Sequence, residues 1–181
     1  MPKGLKETSS QIVVSFGLTE TAANTFTTER VDLQLNALDN EVFVVTAVKM
    51  DLEIPDVLGG AGNIRSAVFA SLSKQNITNS NDRSLGNTSI FATADTQIFS
   101  AISAQPSGDN FGVAVLQQEN DQDTPSAVEY TDIIATPDFF VNINGVANSS
   151  AKSVAGKLYG YRARADSSTY AALVQSELLS Q

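Results

Sequence analysis

Carboxylates are the side chains of this sequence whose type and spacing could support catalysis. Asp51 and Glu53 alternate along a predicted strand, and Asp132 and Asp138 flank another. A pair of carboxyl groups a few ångströms apart is the machinery of a glycosidase. The same spacing is equally typical of an ordinary solvated strand face, which is the interpretation we favour for both pairs.

The segment ENDQDTP is the candidate for binding a metal ion. It places Glu119, Asp121 and Asp123 at alternate positions, as at the start of a calcium loop, where hard oxygen ligands converge. It lacks the glycine and the later glutamate of the EF-hand pattern. A solvated turn is the simpler interpretation, and we expect neither a metal ion nor a cofactor.

Several chemistries are excluded by composition. The chain contains no histidine, no cysteine and no tryptophan. It therefore has no Ser-His-Asp triad, no thiol nucleophile and none of the usual zinc or copper ligand sets. The glycine-rich segment LGGAGN has neither GxGxxG spacing nor a following GK[ST], so it does not predict phosphate binding. We expect that the protein is not an enzyme.

The charge balance bears on partners. A net charge of -9 repels phosphate backbones and anionic headgroups, so we expect no direct binding of nucleic acid. Lys3 and Lys6 belong to residues 1–9, which we interpret as a flexible N-terminal arm. No apolar run is long enough to span a bilayer, and we expect no secretion signal and no transmembrane segment.

Hydrophobic alternation organises most of the chain. The 181 residues suit one domain, residues 1–181, and eight or nine stretches alternate with period two. The gaps between them leave no room for crossover helices, which favours an antiparallel sandwich or barrel. In EVFVVTAVKMDLEI both faces are apolar, and strict alternation divides them into Val42, Val44, Thr46, Val48 and Met50 on one face and Phe43, Val45 and Ala47 on the other.

The last residues change period. An amphipathic helix is predicted over residues 167–180, because one helical face carries Tyr170, Leu173, Val174, Glu177 and Leu178. A helix this short forms only when docked. Two docking sites remain open: the helix could cover its own sandwich, or it could pack on an adjacent subunit.

The last predicted strand carries aromatic and basic residues on opposite faces. Tyr159 and Tyr161 share one face, and Arg162 and Arg164 share the other. The arginines could form a solvated face, or they could bridge to carboxylates on a neighbouring subunit. Our predicted subunit interface therefore comprises Tyr170, Leu173, Val174, Leu178, Arg162 and Arg164.

Taken together, EVFVVTAVKMDLEI, PDFFVNING followed by VANSS, and KLYGYRARADSSTYAALVQSELL make the chain resemble a single jelly-roll viral capsid protein of icosahedral viruses of bacteria or archaea. The resemblance implies an all-β antiparallel sandwich of jelly-roll type, with about eight strands and a short C-terminal α-helix. It also implies a structural protein without a catalytic site.

That resemblance predicts function through assembly. The expected role is a capsid subunit that forms trimeric or hexameric capsomers and an icosahedral shell, with other capsid proteins as further partners. Such a protein would be found in the virion and assembled in the host cytoplasm. Two alternatives remain: a phage tail-tube or head-decoration protein, and a carbohydrate-binding or adhesion module with Tyr130, Tyr159 or Tyr161 at its site.

Overall fold

A computed structural model of the chain describes residues 4–57, 62–104, 110–120 and 129–179. Within these ranges, residues 62–64, 100–104, 110–115 and 117–120 are described by their backbone only. The strands are β1 (Leu5–Glu7), β2 (Ile12–Thr19), β3 (Thr27–Asp32), β4 (Glu41–Leu52), β5 (Gly62–Ser73), β6 (Ile90–Ala104), β7 (Asn110–Asn120), β8 (Asp132–Ile134), β9 (Asp138–Val146) and β10 (Ser153–Ala165). Two 3₁₀ turns, Ala37–Asp39 and Ser80–Arg83, and one α-helix, α1 (Ser167–Leu179), complete the described elements.

The strands form two antiparallel sheets. The first sheet has the order β2-β10-β4-β8, with β1 pairing the end of β10, and the second has the order β3-β9-β5-β6-β7. Early strands therefore pair with late ones in a nested series: β2 with β10, β3 with β9, β4 with β8, and β5 with β6. A long double-stranded ribbon rolled into two facing sheets is a jelly roll. The predicted all-β sandwich with a C-terminal helix is confirmed.

One β-bulge changes the predicted faces of β4. In the pairing of β4 with β10, Ala47 lies opposite Tyr159 and Val45 lies opposite Gly160. Thr46 is therefore an extra residue, and no residue of β10 lies opposite it. A bulge of this kind shifts the alternation by one position. Phe43 and Val45 before it and Val48 and Met50 after it consequently all pack in the sandwich core. The prediction that Val48 and Met50 share a face with Val42 and Val44 was wrong for this reason.

The core between the sheets is built around phenylalanine rings. Phe139 is fully buried and meets Phe16 edge-on, with 5.9 Å between ring centroids. Two glycines of β10 make room for such rings. A Cβ atom at Gly156 would collide with the Phe16 ring, and one at Gly160 would collide with the Phe43 ring and the carbonyl oxygen of Val44. Glycine at both positions lets β10 lie against large aromatic side chains.

Part of the predicted flexible arm is a strand. Leu5–Glu7 pair with Ala163–Ala165 at the end of β10, and the Thr8 nitrogen donates to the Arg162 oxygen at 2.9 Å. The structure thus differs from the prediction for residues 5–7, because the last residues of β10 have backbone groups at the strand edge that a short segment can pair. Within the described ranges, no helix is long and apolar enough to cross a membrane.

Candidate functional site

The C-terminal helix lies on the outer face of the first sheet of its own domain. Asp166 caps its start, with Oδ1 accepting from the Thr169 nitrogen at 2.7 Å. Tyr170, Leu173 and Val174 are partly buried and pack on a second apolar cluster, on the side of the sheet away from the core. Its buried members are Val42, Val44, Ala135, Ala163 and Ala165. In this structure of a single chain, the helix packs on its own sandwich.

Glu177 is the buried centre of the helix contact. Glu177 is the acidic residue on the otherwise apolar face predicted for α1. It is nevertheless buried, with only 3% of the residue exposed. Oε1 accepts from the Ala135 nitrogen at 2.8 Å, and Oε2 accepts from the Thr136 nitrogen at 3.0 Å. The Gln75 side-chain amide donates to the Glu177 carbonyl oxygen. The helix is therefore anchored to the β8–β9 connection by a carboxylate as well as by apolar packing.

The environment of Glu177 also sets its protonation. Burial raises the pKa of Glu177, while its backbone hydrogen bonds and the nearby Lys74 ammonium act in the opposite direction. Lys74 itself is held by Asp132, whose Oδ2 lies 3.0 Å from Nζ. The carboxylate is thus costly to bury but well provided with donors, which is typical of a structural clip.

The remaining predicted interface residues have different surroundings. Leu178 is 60% exposed and points away from the helix contact. Arg162 donates through Nη2 to the Leu33 oxygen at 3.1 Å, and Arg164 pairs with Asp39 at 3.1 Å. The structure therefore brings Tyr170, Leu173 and Val174 together on this chain but does not bring Leu178 or the arginines into that cluster.

A charged cluster ties two loops together at one end of the sandwich. Lys152 is only 3% exposed, and its Nζ lies 2.6 Å from Asp56 Oδ1 and 3.4 Å from Glu53 Oε1. Ser149 donates to Asp56 through its backbone and its hydroxyl group, and Ser153 does the same to Glu53. The β4–β5 and β9–β10 connections are joined by these contacts.

Both partners in this cluster are held in their charged forms. The Lys152 and Ser149 hydrogen bonds hold the pKa of Asp56 well below its ordinary value. Burial lowers the pKa of Lys152, but the Asp56 and Glu53 carboxylates outweigh it and raise the pKa overall. A protonated amine is not a nucleophile and an ionised carboxylate held by donors is a weak base. The cluster is suited to holding loops rather than to catalysis.

A second buried carboxylate completes this end of the sandwich. Glu20 accepts from the Gly145 nitrogen at 2.6 Å and from the Lys152 nitrogen at 3.0 Å. Asn148 donates to the Ala67 oxygen at 2.9 Å and accepts from the Asp56 nitrogen at 3.0 Å. These bonds satisfy backbone groups that the loops would otherwise bury without partners.

The acids of the two predicted carboxylate pairs have separate surroundings. Glu53 belongs to the Lys152 cluster while Asp51 is exposed on the outer face of the first sheet. Asp132 pairs with Lys74, and Asp138 pairs with Arg30 at 3.3 Å. Glu53, Asp132 and Asp138 are thus each held by a cation.

The predicted metal candidates cannot be placed. Asp121 and Asp123 lie outside the described residues, as does the side chain of Glu119. Elsewhere in the described part of the chain, no group of three or more acidic side chains has the arrangement of a metal site.

A groove with two lysines lies on the part of the first sheet that α1 leaves open. Lys49 of β4 and Lys157 of β10 are directly opposite each other, and both are exposed. Ser15, Asp51 and Tyr159 line the same groove, whose volume is about 360 Å³. Because the two lysines are far apart in the sequence, only the strand pairing reveals this groove.

The outer face of the second sheet carries a second basic pair. The Arg65 guanidinium lies 5.6 Å from the centre of the Phe69 ring and 5.9 Å from that of Phe99, and Arg83 lies 4.1 Å from Phe69. Burial and the neighbouring Arg65 lower the pKa of Arg83, and Asp95 opposes this effect. Cation–π contacts hold both arginines on one aromatic ring.

Comparison with models of known protein families and with curated proteins found no match.

Proposed function

We propose that the chain is a structural virion protein, a capsid subunit that self-assembles into trimeric or hexameric capsomers and an icosahedral shell. The observation that carries this proposal is the nested strand order of the jelly roll. Jelly rolls serve chiefly as capsid proteins, lectins and cupins. A chain without histidine lacks the imidazole ligands on which metal-dependent cupin chemistry depends, which favours the first two classes.

The surroundings of the charged residues support a structural role. The buried charges Lys152, Glu20 and Glu177 each bind backbone groups or oppositely charged side chains between separate chain segments. They fix loops and the helix to the two sheets. A rigid domain of this kind loses little conformational entropy on association, which favours repeated packing of identical copies.

Two surface features supply contacts for such packing. β7 is an edge strand of eleven residues, and no described strand pairs with its outer edge. Leu116 of β7 and Leu178 of α1 are both more than half exposed. Long edge strands and exposed apolar side chains favour association with another chain. The proposed setting is the virion, with assembly in the host cytoplasm and with other capsid proteins as further partners.

Light scattering of the full chain over a range of protein and salt concentrations, with negative-stain images, tests this function. We expect oligomers of capsomer size that grow into closed shells. Leu178→Glu should reduce assembly, whereas Gln175→Glu, a matched charge change on the exposed part of α1, should not. A chain that remains monomeric under every condition contradicts the proposal, and stacked open rings would instead indicate a tail-tube protein.

A carbohydrate-binding module is the second candidate. Tyr159 lines the open groove of the first sheet together with Ser15 and Asp51. The tyrosine ring can stack on a sugar, and the serine and aspartate side chains can form hydrogen bonds with its hydroxyl groups. Saturable binding on a glycan array, lost in Tyr159→Ala, would favour this function. The absence of tryptophan from the chain places it second.

A further inference from the structure

The pairing of Lys49 with Lys157 works against the stability of the sheet. They are direct partners in the antiparallel pairing of β10 with β4, and their side chains share the outer face. Like charges directly opposite each other destabilise such a pair. A pair of residues that departs from this preference without an evident gain in stability points to a function.

Within the described part of the chain, neither lysine forms an ion pair. Among the described residues, the ion pairs of basic side chains involve Arg30, Lys74, Lys152 and Arg164. These ion pairs of the described residues include neither Lys49 nor Lys157, nor Asp51, the acid of their groove. The groove thus keeps a net positive charge on a chain that has 20 acidic and 11 basic residues.

The groove has the shape and surroundings of a contact site. Its volume of about 360 Å³ suits a few inserted side chains. Ala155 and Gly156, which carry little or no side chain, also line it. On the same strand, Ala163 and Ala165 belong to the cluster covered by α1 and Tyr161 packs against it, so the groove is the uncovered part of that face.

We propose that this groove binds carboxylates of a second copy of this chain, so that the lysine pair forms an intersubunit contact. The inference rests on the proposed function. Copies with a net charge of -9 repel one another. A small positive groove offers each copy one place where an acidic neighbour is attracted, and charged contacts of this kind set the register of an interface.

Lys157→Glu tests the site, with Lys6→Glu as the matched control. Both changes replace an exposed lysine by glutamate and alter the net charge equally, but Lys6 lies on β1 outside the groove. Lys157→Glu also places an opposite charge across from Lys49, so the sheet should be as stable as before or more so. Thermal unfolding of both variants therefore separates a lost contact from a lost fold.

The expected result is a selective loss of assembly. At about 50 mM salt, Lys157→Glu should raise the protein concentration needed for assembly about tenfold or more, and Lys6→Glu should change it little. Lys157→Arg should assemble like the original chain. In about 0.5 M salt the difference between the two glutamate variants should shrink, because screening weakens exposed charge contacts.

Three outcomes overturn the inference. Equal changes in assembly for Lys157→Glu and Lys6→Glu would assign the effect to net charge. Normal assembly of Lys157→Glu would remove the groove from the interface and leave the proposed capsid function standing. This holds even if the variant lost binding to an acidic saccharide, which would make the groove a ligand site and not a subunit contact. A full chain that never assembles removes both proposals together.

Discussion

Glu177 and Ala135 meet through a charge-assisted hydrogen bond, with Oε1 2.8 Å from the Ala135 backbone nitrogen. The second oxygen accepts from the next residue, Thr136, so one carboxylate satisfies two consecutive backbone amides. Hydrogen bonds to an ionised acceptor are about twice as strong as neutral ones. This contact places the end of α1 against the β8–β9 connection.

Removing the carboxylate should loosen the helix. Glu177→Ala leaves the Ala135 and Thr136 amides without their acceptor, so the free energy of unfolding should fall by about 2–3 kcal/mol. Urea denaturation followed by circular dichroism measures the change. Gln175→Ala, an exposed position on the same helix, should stay within about 0.5 kcal/mol of the original chain. Equal losses in the two variants would show that Glu177 does not anchor α1.

The two leucines of the helix should respond differently to truncation. Leu173 packs on the outer cluster of the first sheet, whereas Leu178 is mostly exposed. Leu173→Ala should therefore lower the free energy of unfolding by about 1–2 kcal/mol, and Leu178→Ala should change it by less than about 0.5 kcal/mol. The same denaturation assay compares them. A larger loss for Leu178→Ala would contradict the docking of α1 on its own sheet.

Glycine at position 160 should be required for packing. Gly160→Ala places a methyl group into the Phe43 ring and the Val44 carbonyl oxygen, so we expect a loss of about 2 kcal/mol or more, with a lower melting temperature. Gly17→Ala on β2 is the control, because its nearest neighbour, the Val154 oxygen, would lie at an ordinary 3.6 Å. If the two variants have the same melting temperature, close packing of β10 on the core is not the reason for glycine at position 160.

Acid should reduce the stability that the Lys152 cluster contributes. The pKa of Asp56 is lowered in the folded chain, so its contribution is present above its unfolded pKa and is lost as the pH falls below about 4. Asp56→Asn should reduce the melting temperature at pH 7 and reduce it less near pH 2. Asp51→Asn, which removes an exposed carboxylate that forms no ion pair among the described residues, should show no such convergence.

Glu177 should contribute to the pH profile with the opposite sign. Its pKa is raised by burial, so its contribution is complete below its unfolded value of about 4.5 and declines as the pH rises through the folded value. Asp56 and Glu53 act at lower pH: because their pKa values are lowered, their contributions grow as the pH rises toward their unfolded values and are complete above those values. Comparing the profile of Glu177→Gln with that of the original chain isolates the Glu177 contribution. A steeper loss on acidification in the original chain than in Glu177→Gln would contradict the sign.

Much of the fold follows from local pattern. Nine of the ten described strands coincide with stretches of alternating or β-branched residues, a pattern that is typical of strands with one buried face. β1 has no such pattern, since Leu5 is only partly buried and the strand depends on backbone pairing with β10. The bulge at Thr46 was equally hidden, because an extra residue is defined only by the partner strand.

The candidate sites were less accessible to sequence reasoning. One signal was present: Glu177 is the acidic residue on an otherwise apolar helical face, and such an exception marks a buried charge with partners. Lys152 gave no such signal, because it follows a polar loop and its burial depends on Asp56 and Glu53 from another loop. The Lys49–Lys157 groove requires knowledge of strand order, which period-two patterns do not contain.

The nested strand pairing also constrains the order in which the chain can fold. As the ribosome releases the polypeptide, β5 and β6 are the first of the nested partners to be available together, while β2, β3 and β4 have to wait for β10, β9 and β8. Long-range pairings of this kind form slowly, and unpaired strands are prone to aggregate meanwhile. The outermost pair closes only when residues near the C-terminus emerge. A ribosome stalled before β10 would therefore hold a chain whose inner strand pairs can form, while β2 still lacks its partner β10.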